Sequence, residues 1–427
     1  MNHNANYDKY IAILTEELVP AMGCTEPAAI AYAGAVAKDI LGEVPTSAKI
    51  SVSGNIIKNV KSVVVPHTGG MRGIENALAA GIAVGDSELG LQVLSSIKHE
   101  QIPEISRFRE SCEISLEHRK TSCVFDIAVT LYAGENSAAE HSAYVRIKDK
   151  HTNIVELRRG GEVIFKNENN EKDTCTDRSC LSVEEIVEFA DCLDTRDVKD
   201  ILDRQIAYNM AIANEGIRNS WGANVGKVFL SAYPSDIKIK AKAYAAAGSD
   251  ARMNGCELPV VINSGSGNQG MTASIPVIVY ARELGIDEDR LYRALCVSNL
   301  VTVHLKSGIG TLSAYCGVVS AGAGAGCGIA YLLGGGYREV AHTLVNALAV
   351  DSGVICDGAK ASCAAKIAIA VESGILGYEM YKAGNQFHAG DGIVKKGVEN
   401  TIENVSRLAR AGMKETDKEI ISIMIEE

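Results

Sequence analysis

Twelve cysteines are spread through 427 residues, and their surroundings separate those that could do chemistry from those that fill space. Cys316 lies in SAYCGVVSAG, Cys327 in AGCGIA, and Cys356 and Cys363 in VICDGAKASC, all in a region otherwise made of small and apolar residues. Four thiols within 48 residues exceed what packing usually needs. Were 356–363 one helix, its two thiols would stand about 10.5 Å apart along the axis, too far for one small cluster, but Asp357-Gly358 provides for a bend. The spacing lacks the CxxC pairs of structural zinc sites and ferredoxin clusters, so spacing alone leaves both inert buried cysteine and metal ligation open. Cys24 is a separate case. Thr25, Glu26 and Pro27 read as the start of a helix, whose positive end would stabilise a thiolate and make the cysteine reactive. Cys112, Cys123, Cys175, Cys180, Cys192, Cys256 and Cys296 have no comparable context.

Two glycine-rich segments also invite chemistry. PVVINSGSGNQG holds Gly265, Gly267 and Gly270 in the GxGxxG spacing after a strand-like run. A dinucleotide site would need a second strand ending in an acidic residue about 20 positions on, whereas the sequence that follows reads as two successive helices. The alternatives are a tight turn between helices, or a nest in which Ser264, Gly265, Ser266, Gly267, Asn268, Gln269 and Gly270 present backbone N–H groups to a carboxylate or phosphate. Lys306, in HLKSGIG, has the types for a Schiff-base lysine beside a phosphate cup, but nothing else supports pyridoxal phosphate. It reads otherwise as a lysine at a helix end or as a contact to a substrate carboxylate.

The elements that must position these residues follow from periodicity. YDKYIAILTEELV repeats apolar positions at helical spacing up to Pro20, and AAIAYAGAVAKDIL continues as a second, small-faced helix. KISVSGNIIKNVKSVVVP, CVFDIAVTLYAG, SAYVRIKD and EVIFKN read as strands, with helical GIENALAAGIAVG and SELGLQVLSSI between them, which predicts a mostly antiparallel sheet. Residues 167–179 read as a linker. Ser182-Val-Glu-Glu185 then offers a capping box, and helical spacing dominates to the end. The expected fold class is α+β: N-terminal helices at 1–45, an α+β lobe inserted at 46–175, and an all-α lobe at 182–427.

Composition narrows the partners. Forty-two Lys+Arg against 53 Asp+Glu give a net charge of −11, which argues against nucleic acid or anionic lipid, and 5% aromatics with a single Trp221 argue against a base-stacking platform. A small molecule is the expected partner. Ser307 to Tyr337 carries no charge, yet ten of its 31 residues are Gly and no basic or aromatic flank frames it. It therefore reads as buried helix, with Gly322 and Gly326 letting backbones touch, and not as a membrane span. The cysteines are too sparse for a disulfide scaffold and MNHNANYDKY lacks a signal-peptide pattern, so a reducing cytoplasm is expected.

GCTEP at 23–27, VPHTGGMRG at 65–73, NSGSGNQG at 263–270, KSGIGTLSAYCGVVSAGAGAG at 306–326 and CDGAKASC at 356–363 resemble, in that order, the L-cysteine desulfidase family, whose helical lobe is similar to the iron-sulfur L-serine dehydratase alpha domain. The resemblance covers essentially the whole chain. It implies an oxygen-sensitive 4Fe-4S cluster on Cys316, Cys356 and Cys363 with one iron open to substrate, Cys327 as a packing residue, and Cys24 as the base. It also implies β-elimination on a small amino acid: L-cysteine gives sulfide, ammonia and pyruvate, with L-serine the alternative. The carboxylate would lie on the 264–270 loop with Lys306, and His67, Thr68 and Gly69 of HTGG would contribute from the α+β lobe. For Cys24 to act there, residues 1–45 must pack on the 182–427 lobe. Assembly as a homodimer is admitted. Two rival classes remain at this point, a dinucleotide-dependent enzyme and a non-catalytic helical assembly protein.

Overall fold

The computed structural model describes residues 5–23, 25–121, 123–134, 139–167, 175–234, 236–310 and 313–426. Helix α1 (Tyr7–Glu17) buries Tyr7, Tyr10, Ile13 and Leu14 along one stripe and is followed by the two-residue strand β1 (Pro20–Ala21). The α+β lobe then comprises α2 (Thr25–Leu41), β2 (Ser47–Val52), α3 (Gly54–Val60), α4 (Ile74–Val84), α5 (Ile102–Ser111), β3 (Glu113–His118), β4 (Asp126–Tyr132), β5 (Ser142–Lys148), β6 (Ile154–Arg159) and β7 (Glu162–Lys166). These six strands form one sheet in the order β3-β2-β4-β5-β6-β7, with β2 and β3 parallel and every other pair antiparallel. Burial alternates along β2 and β5, so Ala48, Ile50, Val52, Ala143, Val145 and Ile147 enter one core with α2 and α4.

The expected strand KISVSGNIIKNVKSVVVP is corrected. Pairing stops at Val52, and Gly54–Val60 is helical because Ile56, Ile57 and Val60 fall on one buried helical face. Gly54 lets the C-terminal segment approach closely, since a Cβ would lie 2.8 Å from the Ile421 side chain.

The helical lobe contains α6 (Val183–Cys192), α7 (Lys199–Arg218), α8 (Val225–Ala232), α9 (Ile237–Met253), strand β8 (Val260–Val261), α10 (Gly267–Leu284), α11 (Glu288–Ile309), α12 (Gly317–Leu332), α13 (Tyr337–Asp351), α14 (Cys363–Lys382), α15 (Val398–Arg407) and α16 (Lys414–Ile425). Ser182 caps α6 by accepting the Glu185 N–H at 3.3 Å. Strand β8 pairs only with β1, antiparallel, so the GxGxxG segment does not belong to a parallel βαβ unit and the dinucleotide reading loses its scaffold.

The expectation that residues 1–45 pack as a unit on the helical lobe is also corrected. Helix α1 does enter that core, where Tyr7 and Tyr10 pack on Phe189 with ring centroids 5.3 and 5.2 Å apart. Helix α2 instead joins the α+β core. Its small-residue face fits α4 so closely that a Cβ at Gly81 would sit 2.0 Å from the Ala31 carbonyl oxygen. The chain thus changes lobes between Ala21 and Thr25. At the other end α16 leaves the helical lobe and docks on α3: Lys58 pairs with Asp417 at 2.5 Å and Lys61 donates to the Met424 carbonyl.

Helix α12 organises the helical lobe. Cβ atoms at Gly322 and Gly326 would lie 2.3 and 2.4 Å from the carbonyl oxygens of Ala370 and Gly374 in α14. On another face, a Cβ at Gly324 would meet Thr302 of α11 at 2.3 Å, and one at Gly328 would meet Val277 of α10 at 2.9 Å. Because 322 faces 370 and 326 faces 374, α12 and α14 run parallel. Gly317 against Gln269 and Gly328 against Val277 make α10 parallel to them as well. Among the described residues no helix is long and apolar enough to cross a membrane.

Gly322→Ala should lower stability by about 2 kcal/mol in urea unfolding despite the better helix propensity of alanine, because backbone of α14 must move. Gly353→Ala, whose Cβ would meet nothing within 4 Å, should change it by no more than about 0.5 kcal/mol.

Candidate functional site

The parallel packing puts the N-termini of α10, α12 and α14 together, and each begins at a residue singled out in the sequence. Cys316 is the N-cap of α12 and Cys363 is the first residue of α14. Cys356 is joined to the first of these by a short antiparallel pairing: Cys316 N–H donates to the Val354 carbonyl at 3.1 Å and Cys356 N–H to the Ala314 carbonyl at 2.6 Å, around a Tyr315–Ile355 bridge. The Cys316 and Cys356 side chains interact directly, and Cys356, together with burial, raises Cys316 well above the ordinary thiol range. Cys356 is held down to about 6, first by the neighbouring Cys316 and then by the Lys58 ammonium, the Gly358 N–H and the Lys366 ammonium, against its burial. Cys363, pushed up chiefly by burial, lies within electrostatic reach of both other thiols and approaches the Gly358 carbonyl at 3.6 Å.

The turn that carries Cys356 toward Cys363 is pressed against the α+β lobe. Gly358 has φ +94°, and a Cβ there would lie 1.8 Å from the Lys58 carbonyl oxygen, so only glycine fits. Lys366 donates to the Asp357 carboxylate and to the Ile355 carbonyl, bracing the turn from α14. Lys306 is also brought here. Burial pushes its ammonium down to about 8 while Cys356 and Cys316 pull it upward, and it donates to the Gly310 carbonyl at 2.8 Å.

The 263–270 loop is fixed from beneath by buried amides. Asn263 donates to Asn299 at 3.0 Å, and Asn299 exchanges bonds of 2.9 and 3.0 Å with Gln205. Ser264 is held at φ +49°, an unusual conformation for a residue with a Cβ, and its N–H donates to Glu17 of α1 at 3.1 Å. Ser266 caps α10 by accepting the Gln269 N–H at 3.5 Å, while its own N–H bonds to the Asn263 carbonyl and its carbonyl accepts from Gly270 N–H. The expected nest of successive open amides is therefore narrower than the loop. Gly265, Gly267 and Asn268 keep N–H groups without a protein partner among the described residues. A Cβ at Gly270 would lie 2.1 Å from the Val261 carbonyl oxygen, which ties this glycine to packing. Gln269 lies against Gly317, directly beside Cys316, with its Oε1 buried and unpartnered.

Arg252, near the end of α9, was not singled out by its sequence context. It donates to the Gly23 carbonyl at 2.9 Å and to Asn268 Oδ1 at 3.3 Å, and it lines a cleft between the lobes with His67 and Cys256. His67, at φ +59°, pairs with Glu257 at 3.2 Å in the same cleft. Thr68 is not directed there. It is fully buried and donates to the Val65 carbonyl at 2.8 Å, and Gly69 packs toward Ile102 of its own lobe. Cys327 is buried in α12 and points to the Val340 carbonyl, at 3.6 Å. Cys24 lies outside the described residues. Lys58 was hidden in a segment that reads as strand, whereas Lys366, one helical turn after Cys363, had a legible signal in its spacing.

Cys316, Cys356 and Cys363 are soft thiol donors of the type that can hold an iron-sulfur cluster. The three thiols lie near pooled helix N-termini beside ammonium groups; Cys356 is lowered toward the thiolate, whereas Cys316 and Cys363 are raised. Among the described residues, no three or more His, Cys, Asp or Glu side chains close around a position for one metal ion.

Residues 88–422 match the model of the family described as the serine dehydratase alpha chain. A UPF0597 protein of Desulfitobacterium hafniense is 57% identical, over 98% of this chain and 97% of its own length. Others, from Lachnoclostridium phytofermentans and Treponema denticola, are 49% and 43% identical, covering 98% and 99% of this chain and 100% and 99% of their own lengths.

Lys58 is almost fully buried, so removing its carboxylate partner should be costly. Asp417→Asn should lower unfolding stability by about 3 kcal/mol, and the double variant Lys58→Met/Asp417→Leu should recover most of it. Equal loss in both would show that the contact between α3 and α16, and not the charge pair, is what matters.

Proposed function

The chain belongs to the serine dehydratase alpha chain family, and from that premise we propose that it is an iron-sulfur-dependent lyase that eliminates the β-substituent of L-cysteine, giving sulfide, ammonia and pyruvate. The observation that carries this reading is the meeting of Cys316 and Cys356, with Cys363 beside them, at the N-termini of α12 and α14. Cys316, Cys356 and Cys363 would hold a 4Fe-4S cluster, which when bound supplies a Lewis-acidic iron for a leaving sulfur.

The chain's own residues do the rest. The open amides of Gly265, Gly267 and Asn268, at the positive end of α10, receive the substrate carboxylate. Cys24, as thiolate, removes the α-proton; the Cα–H electron pair forms the Cα–Cβ double bond and the Cβ–S pair leaves with sulfur. The aminoacrylate so formed tautomerises to an imine, and water hydrolyses it to pyruvate and ammonia. Lys306, Lys58 and Lys366 balance the negative charge that gathers at the thiols. L-Serine is the second reading, favoured by the description of the matched family. Its hydroxide is a poorer leaving group, so the same groups would eliminate it more slowly.

Anaerobic reconstitution with iron and sulfide, followed by assays for sulfide from L-cysteine and pyruvate from L-serine in parallel, tests this. The expected result is a broad brown absorption and turnover of cysteine. Cys24→Ser should keep that absorption and lose at least about 100-fold in turnover, the ordinary worth of a general base, whereas Cys356→Ala should lose the absorption itself. Release of neither product by brown, reconstituted wild type would overturn the lyase reading.

A further inference from the structure

Arg252 has no role in the scheme above, and its partners are odd for a guanidinium. Both acceptors it engages, the Gly23 carbonyl and Asn268 Oδ1, are neutral, and its Nε is buried with no partner among the described residues. None of the ion pairs formed by described residues includes it. Glu257, which lines the same cleft, is engaged by His67. Among the described residues this cation has its orientation set by neutral acceptors and no carboxylate paired with it, a state that an incoming anion relieves.

The position of that charge is set by α10. The guanidinium packs against the first residue of the helix, so closely that a Cβ at Gly267 would stand 2.5 Å from Nε and 2.7 Å from the guanidinium carbon. The open N–H groups of Gly267 and Asn268 therefore lie directly beside it. The next residue, Gln269, is 6% exposed, carries a buried Oε1 without a partner among the described residues, and rests on Gly317 beside Cys316. An anion acceptor and a cation acceptor thus occupy consecutive positions of one helical turn, and the cation acceptor is the one nearer the thiols.

We propose that Arg252 receives the α-carboxylate of the amino-acid substrate and that Gln269 Oε1 accepts a hydrogen bond from its α-ammonium, leaving the β-substituent directed toward Cys316. This rests on the lyase reading. It makes the site specific for free α-amino acids: a blocked carboxylate leaves Arg252 uncompensated, and an acylated amine offers Gln269 one donor where an ammonium offers three.

Two one-handled probes test the assignment on anaerobically reconstituted protein by isothermal titration: 3-mercaptopropionate, with carboxylate and no ammonium, and cysteamine, with ammonium and no carboxylate. Arg252→Gln should weaken 3-mercaptopropionate by about 10- to 100-fold, the worth of a charged hydrogen-bonded contact, and leave cysteamine within about twofold. Gln269→Leu should do the reverse. Arg252→Lys, which keeps the charge but loses the planar fork, should fall between wild type and Arg252→Gln for 3-mercaptopropionate and raise KM for L-cysteine with little change in kcat. Equal weakening of both probes by Arg252→Gln would mean that the arginine only ties down Gly23, and would overturn the assignment while wild-type turnover left the lyase reading standing. A wild type that turns over neither amino acid and binds neither probe would remove both.

Discussion

Helix α12 can lie where it does only because its glycines present bare backbone to α14 and α11. A methyl group at Gly322, Gly324 or Gly326 would intrude to between 2.3 and 2.4 Å of neighbouring atoms. Such contact fixes height as well as distance. With 322 level with 370 and 326 level with 374, counting back along both helices brings Cys316 and Cys363 to the same end of the lobe. The same argument through Gly317 and Gly328 sets α10 alongside. Three parallel helices pool the positive ends of their dipoles at one point, and the thiols, the open amides of α10 and the buried Gln269 oxygen all lie there. Loosening α12 would separate these groups without altering any of them.

The α+β lobe contributes to this centre through one residue on two sides. The Lys58 carbonyl lies where a Cβ of residue 358 would be, and its ammonium lowers the affinity of Cys356 for its proton while pairing with Asp417. The turn between two thiols is thus pressed between its own lobe and α3, which the C-terminal helix holds through the Lys58–Asp417 pair. Arg252 makes the second junction, joining α9 to the Gly23 carbonyl where the chain crosses between lobes. Any shift of one lobe against the other is felt at the thiols through Lys58 and at the 263–270 loop through Arg252.

Much of this was legible in the residues. The small-residue reading of Gly322 and Gly326 anticipated backbone contact, and the α+β class followed from the change from period two to helical spacing after residue 180. Three things were hidden. Helix α2 has a face of Ala and Gly that fits either lobe by composition, and only the complementary glycine at 81 decides between them. Residues 54–60 carry β-branched side chains that mimic a strand, and the helix against which they pack from the other side, with Ile421 on Gly54, lies more than 350 positions away. Arg252 lies in DARMNG, which has no motif; its importance comes from the bare Cα of Gly267, a contact with no signature along the chain. The glycines of 263–270 were visible as a candidate nest, but which of their N–H groups stay open depends on Glu17 and Ser266, partners that spacing does not reveal.

On the proposed function, Cys316, Cys356 and Cys363 would hold a cluster with one iron left for substrate. Mössbauer spectroscopy of protein reconstituted with iron-57 under anaerobic conditions addresses it most directly, recorded with and without L-cysteine under conditions that slow turnover. The account predicts four irons per chain, of which one changes its isomer shift and quadrupole splitting when L-cysteine is added. A spectrum in which all the irons are unmoved by substrate, or a protein that retains no iron with its three cysteines intact, would contradict it.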